Sequence, residues 1–279
     1  MTVNDDIAGM TRGIAAGIEF VRRPGGGAAR PMVLLHGIGS NALSWVPVME
    51  VLDPGIDAIA WNAPGYGQST ALASRTPNPL DYATALLQLL DALDVREPVL
   101  VGHSLGAMFA GKFAASFPGR VVALVLASPA IGYGVSPGTP LPPKVQERID
   151  DLERLGPADF AAKRATRLVF DPQAKPGVVA AVARAMAAVR PDGYAQAVHA
   201  LGAGDLVADA RAIAAPTMVV VGLQDVITPP ASARTVRAAL RNVVSYQEID
   251  GAGHALPQES PKVLARLLAA LTKEGADVR

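Results

Sequence analysis

Three residue types in this chain could together transfer an acyl group: a serine set between glycines, a histidine in a glycine-rich loop, and an aspartate after an apolar run. The serine is Ser104, in Val99-Leu100-Val101-Gly102-His103-Ser104-Leu105-Gly106. An apolar, β-branched run that meets a helical pattern at one serine reads as strand, tight turn and helix, with the hydroxyl exposed at the apex. Gly102 and Gly106 let the backbone fold that sharply. The helix start aims unpaired N–H groups and a positive dipole end at the same hydroxyl, and Leu105 can donate its N–H to a developing oxyanion. The same Gly-x-Ser-x-Gly string recurs at Gly134-Val135-Ser136-Pro137-Gly138. There the chemistry fails, because Pro137 has no N–H to donate and no clear strand leads into Ser136.

A serine hydroxyl is a poor nucleophile at neutral pH, so it needs a base, and the base needs an orienting acid. The chain has 4 histidines. His36 and His103 sit at strand ends beside the nucleophile and cannot easily swing onto it, and His199 falls in a helical stretch. His254, in Asp250-Gly251-Ala252-Gly253-His254-Ala255, follows the last expected strand and is the candidate base. Asp225 follows the run Thr217–Gly222 and is the candidate acid. Its competitor, Asp250, ends a strand too near His254 to reach back comfortably.

Bringing positions 104, 225 and 254 together requires a sheet whose strands all end at one rim. Apolar runs at Pro31–Leu35, Asp57–Trp61, Val99–Val101, Val121–Leu126, Thr217–Gly222 and Val244–Ile249 have the length and flanks of buried strands. Helical patterns at Asn41–Leu52, Pro79–Leu93, about Ala231–Leu240 and about Pro261–Leu271 alternate with them. That alternation predicts an α/β fold with helices on both faces of a mostly parallel sheet. Residues 12–23 predict one or two antiparallel edge strands. Between Ile131 and Ala214 the alternation stops. Helical patterns recur there at Lys144–Leu155, Ala158–Val169, Val178–Val189 and Asp192–Leu201, punctuated by prolines. We read 131–214 as a helical lid inserted into a core formed by 1–130 and 215–279.

Composition narrows the partners. Twenty-five basic residues balance 25 acidic ones over 279 residues, which leaves no net field for nucleic acid or an anionic membrane. A small-molecule partner is expected. Asn4, Asp5 and Asp6 replace the basic start of a secretion signal, and no apolar run approaches a membrane span. With 0 cysteines there is no disulfide or thiolate metal site, and a cytoplasmic setting is the expectation. No metal-ligand spacing appears, Gly65-x-Gly67 lacks the downstream lysine of a phosphate loop, and no cofactor is expected. Nothing in the chain specifies an oligomeric state.

Strand–His36-Gly37, Asn62-x-Pro64-Gly65-x-Gly67-x-Ser69, Gly102-His103-Ser104-Leu105-Gly106, Gly222-x-x-Asp225 and Gly251-x-Gly253-His254 occur in this order. Together they resemble the α/β-hydrolase superfamily across essentially the whole chain. The resemblance implies an eight-stranded-type sheet, a triad of Ser104, His254 and Asp225, and an oxyanion hole from the backbone N–H groups of Ile38 and Leu105. Asn62 departs from it, standing where many relatives carry Asp. Gly37-Ile38-Gly39-Ser40-Asn41 resembles the loop of enol-lactonases and small-ester hydrolases. Carbon–carbon hydrolases of meta-cleavage products are similar in size and lid, but this chain lacks their longer Gly-Pro-Gly loop. A serine nucleophile implies acyl chemistry on a small ester or lactone. Cleavage of a vinylogous diketone stays open, as does a ligand-binding protein on the same fold with negligible turnover. Candidate pocket residues are His36, Gly37, Trp45, Ile131, Phe160, Arg164, Arg167, Tyr194 and His199. Phe170, Met186, Arg184 and Arg190 are further lid residues that could face a substrate.

Overall fold

The structure is a computed structural model that describes residues 9–27, 29–136 and 139–274. Asn4 to Asp6 and the Pro137-Gly138 pair therefore lie outside the described residues. In chain order the strands are β1 (Thr11–Ala15), β2 (Ile18–Arg23), β3 (Met32–Leu35), β4 (Ala58–Trp61), β5 (Val99–His103), β6 (Ala123–Ala127), β7 (Thr217–Gly222) and β8 (Val243–Ile249). They form one eight-stranded sheet in the order β1-β2-β4-β3-β5-β6-β7-β8. The pairs β1·β2 and β2·β4 are antiparallel, and every other pair is parallel. Only β1 of the expected edge strands lies at the rim. β2 is enclosed because Ile18, Phe20 and Val21 are too apolar for an open edge, and they bury on both faces of the sheet.

Side chains of a strand alternate between faces, and the two halves of the core follow that alternation. Val33, Leu35, Leu100, Leu124, Leu126, Val219 and Val221 pack under α2 (Pro79–Ala92) and α3 (Leu105–Ser116). Met32, Leu34, Val99, Val101, Val125 and Val220 pack on the other face, against α1 (Val46–Val51) and the last helix at Pro261–Glu274. The stretch expected as one helix at Asn41–Leu52 begins with a 3₁₀ turn at Ala42–Trp45, capped by Asn41, before α1 starts at Val46.

Between β6 and β7 lie α4 (Pro143–Arg164), a 3₁₀ turn at Ala165–Leu168, α5 (Pro176–Ala187), α6 (Pro191–Ala203) and α7 (Leu206–Ala210). As the pattern predicts, α4 is broken just before Pro157 into two helical halves. Gly156 takes the kink at φ 73°, and the proline then occupies the first turn of the continuing half, where a missing N–H is tolerated. α7 is too short to show a helical period, so sequence pattern did not reveal it. After β7 come α8 (Pro230–Ala239), the single turn α9 (Leu256–Glu259) and α10 (Pro261–Glu274).

Candidate active site

β3 is flanked by β4 and β5, so the chain leaves it once in each direction across the sheet. Where strand order reverses in an open parallel sheet, the loops at the carboxyl ends part and leave a crevice. His36-Gly37-Ile38, after β3, and Ser104, after β5, stand on either side of it.

Ser104 adopts φ 55° and ψ −116°, a conformation that a non-glycine residue holds only when its surroundings impose it. Its N–H donates to the Ala127 carbonyl at 2.9 Å, and its own carbonyl accepts from Ala107 and Ala130. The flanking glycines permit the turn by bare contact. A Cβ on Gly102 would lie 2.2 Å from the Gly106 carbonyl oxygen, and one on Gly106 would lie 2.3 Å from that of Leu35. Ser136, by contrast, lies in irregular chain with no strand before it.

The sheet brings the three dispersed side chains together. His254 Nε2 lies 3.0 Å from Ser104 Oγ, and His254 Nδ1 lies 2.8 Å from Asp225 Oδ2. All three residues are buried. Burial pushes the Asp225 carboxyl up, but His254 and the N–H groups of Thr228 and Ile227 outweigh it and hold the group down to about 2. A carboxylate there accepts a proton-bearing Nδ1, which leaves Nε2 as an acceptor facing the serine hydroxyl. Asp250 is exposed and takes a hydrogen bond from Gln224 instead. The N–H of Ile38 meets no acceptor among the described residues. That of Leu105, the first residue of α3, has no partner within its helix. Both residues line the crevice with Ser104.

The other two histidines beside Ser104 are structural in their bonding. His36 Nε2 accepts from the Ala63 N–H at 3.0 Å while Nδ1 donates to the Gly37 carbonyl at 2.8 Å. Burial lowers its pKa to about 4. His103 donates Nε2–H to the carbonyl of His254 at 2.7 Å, and burial, then nearby His254, lowers it to about 3. Asn62 is structural as well. Its Oδ1 caps the Ala42 N–H at 2.8 Å, and its Nδ2 donates to the buried Glu19 at 2.6 Å, an arrangement in which an Asp would set two carboxylates together.

A cavity of about 420 Å³ opens over Ser104. Of the candidate pocket residues, His36, Gly37, Trp45, Ile131, Phe160, Arg164, Arg167 and Tyr194 line it, together with Met186. His199 does not. It lies five residues along α6 from Tyr194, which turns it well away from the face that carries Tyr194 and Leu201 to the cavity. Phe170, Arg184 and Arg190 also stay outside, Arg190 because its guanidinium holds the Ser69 carbonyl at 3.0 Å.

Two residues here had no signal in the sequence. The Thr228 hydroxyl lies 2.9 Å from both Asp225 Oδ2 and the Ser128 carbonyl, and 3.1 Å from His254 Nδ1. Arg148 enters the cavity wall from α4. Helical spacing could have grouped Arg148 with residues of its own face, but not shown which way that face points.

Residues 30–261 match the family described as alpha/beta hydrolase fold. This chain belongs to that family. A poly(3-hydroxyalkanoate) depolymerase of Ectopseudomonas oleovorans is 36% identical over 123 residues, 44% of this chain and 43% of that protein. A 2-hydroxy-6-oxononadienedioate/2-hydroxy-6-oxononatrienedioate hydrolase of Pseudomonas putida is 33% identical over 150 residues, 52% of each chain. These matches thus span about half the length of the relatives. The crystal structure of the enol-lactonase from Burkholderia xenovorans LB400 superposes with a TM-score of 0.80 at 22% identity, covering 94% of this chain and 99% of that one. Among the described residues, no helix is long and apolar enough to cross a membrane.

Proposed function

We propose that this α/β-hydrolase is a cytoplasmic serine hydrolase that cleaves a small carboxylic ester or lactone through an acyl-enzyme. The observation that carries the reading is the unbroken hydrogen-bonded line Asp225–His254–Ser104, whose histidine and serine line a cavity. In this reading Ser104 Oγ attacks the substrate carbonyl carbon as His254 Nε2 takes its proton. The carbonyl π electrons move onto oxygen, and the N–H groups of Ile38 and Leu105 donate hydrogen bonds to that oxyanion. His254 returns the proton to the leaving alkoxide, and water activated by the same imidazole then releases the acid and restores Ser104. Asp225 stays ionised throughout and stabilises the imidazolium. The helices α4 to α7 act as the lid.

The lining of the cavity supports a substrate that carries a carboxylate. Arg148, Arg164 and Arg167 line it, and among the described residues no Asp or Glu does. Arg164 already pairs with Asp151, whose carboxyl Lys163, Arg164 and Arg154 hold well below the usual range. Arg148 and Arg167 form no ion pair among the described residues, so an arriving carboxylate meets guanidinium groups not already neutralised. The Pseudomonas putida relative, whose name specifies a dioic acid, favours a second reading, hydrolysis of a carbon–carbon bond in a vinylogous diketone.

Two measurements test the proposal. A fluorophosphonate probe should label the folded protein at Ser104 and leave Ser104→Ala unlabelled. An unlabelled wild type would withdraw the hydrolase reading in favour of a binding protein. Stopped-flow absorbance with enol-lactones, short acyl esters and a vinylogous diketone acid then separates the two hydrolytic readings.

A further inference from the structure

The loop that carries His254 is held from two sides. From the core, His103 donates to the His254 carbonyl at 2.7 Å, and the Gln224 N–H to the Ala252 carbonyl at 3.0 Å. From the inserted helical segment, the Ala255 N–H donates to the Leu168 carbonyl at 2.8 Å, and the Lys175 ammonium to the Gly251 carbonyl at 2.6 Å. Glu259 joins the two sides. Its side chain has no exposed surface; Oε1 accepts the Gly253 N–H at 2.9 Å, and Oε2 accepts the Phe170 N–H at 2.9 Å and Lys175 at 3.0 Å.

We propose that Lys175 is a positioning residue for His254, acting through Glu259 and the Gly251 carbonyl so that the base is aligned only while the inserted segment is docked. The inference rests on His254 being the base of the proposed acyl transfer. Three observations carry it. The loop contains Gly251, at φ 72°, and Gly253, where a Cβ would lie 2.7 Å from the Phe170 N. Such a loop has little stiffness of its own, and its order comes from these bonds. Among the described residues, Lys175 is the one cation on Glu259, and without it a buried carboxylate keeps two neutral donors. The same stretch of chain supplies Arg167 and Leu168 to the cavity wall while Lys175 itself lies outside it, so docking over a substrate and alignment of the imidazole share one set of bonds. Proton transfer at 3.0 Å tolerates little displacement of Nε2.

The test compares Lys175→Met, Lys175→Arg and Glu259→Gln in the full chain, with Ser104→Ala and His254→Ala as controls. The readouts are the rate of fluorophosphonate labelling, kcat and KM on a neutral short acyl ester, and the thermal melt. Lys175→Met should lower both kcat and the labelling rate about 10–100-fold, the loss expected for a misplaced catalytic group, and leave KM within about twofold. Lys175→Arg should recover most of the rate, and Glu259→Gln should share the methionine variant's kinetic split. Wild-type labelling by Lys175→Met overturns the proposal, as does a loss that falls on KM or that arginine fails to rescue. If Ser104→Ala or His254→Ala keeps labelling or turnover, the acyl-transfer reading itself fails. If both are dead and Lys175→Met is fully active, only the positioning role fails.

Discussion

Replacing Asp225 by Asn changes one atom and should reverse the polarity of the whole line. The Asp225 carboxylate receives four hydrogen bonds: Oδ1 takes the N–H groups of Ile227 at 2.8 Å and Thr228 at 2.9 Å, and Oδ2 takes His254 Nδ1 at 2.8 Å and the Thr228 hydroxyl at 2.9 Å. An amide has one acceptor oxygen. Two backbone donors that cannot turn away claim it, so the NH₂ falls where Oδ2 was and points a donor at His254 Nδ1. The imidazole answers by accepting there and carrying its proton on Nε2, where it can no longer take the proton of Ser104. The Thr228 hydroxyl keeps the Ser128 carbonyl as an acceptor, so the fold should persist. From the measured cost of the same tautomer error in serine proteases, kcat/KM should drop about 10³–10⁴-fold, or roughly 4–5.5 kcal/mol of transition-state stabilisation. Asp225 does not line the cavity, so KM should stay close to wild type. The assay is hydrolysis of a short acyl ester from pH 6 to pH 9, with circular dichroism and a thermal melt as folding controls. A variant that melts like the wild type and keeps activity within tenfold would falsify the role given to Asp225.

Four further outcomes follow from the same contacts. Gly102→Ala sets a Cβ 2.2 Å from the Gly106 carbonyl oxygen and 2.5 Å from Ala107 Cα, both backbone, so urea unfolding should show a loss on the order of 1–3 kcal/mol or more; a silent substitution would remove the steric account of the turn. Asn62→Asp places a second carboxylate beside buried Glu19, at a cost of about 2–3 kcal/mol at pH 7 that shrinks as acid protonates one of the pair; a penalty unchanged at pH 5 contradicts this. His36 and His103 are neutral in the fold down to about 4 and about 3, whereas in the unfolded chain they take up protons below their ordinary 6.5. The unfolded state therefore binds more protons, and stability should fall with acidity by about 2–3 kcal/mol per pH unit between roughly pH 6 and pH 4. Flat urea midpoints across that window would show that these rings are not buried neutral. Arg148→Met should raise KM about 10–30-fold for an ester bearing a carboxylate and leave a neutral ester untouched. Equal effects on both esters would exclude a clamp at that position.

The parts of this protein that were legible before folding are those fixed by neighbours in the chain. Gly102 and Ser104 announce a strained turn because Gly102 is constrained within five residues, by the Gly106 carbonyl and Ala107, whereas Gly106 is constrained by the distant Leu35 carbonyl. Apolar runs such as 32–35 and 218–222 read as strands because burial on both faces leaves no polar position. Short elements were lost, since α7 and α9 complete too little of a helical period to show one. So was β2's enclosure, which depends on pairing with β4 far along the chain.

What the tertiary structure alone decided is direction. His199 and Tyr194 lie on one helix and were equal candidates in sequence, yet only Tyr194 faces the cavity, because the rotation of α6 is set by its packing against α2 and α4. Arg148, Thr228, Lys175 and Glu259 carry no motif, and they matter because partners from 26 to 100 residues away in the chain meet them at hydrogen-bonding distance or across the cavity. Side-chain chemistry is local and can be read from letters. Which side chains share a few ångströms depends on the register of the sheet and the docking of the inserted helices, and those are properties of the folded whole.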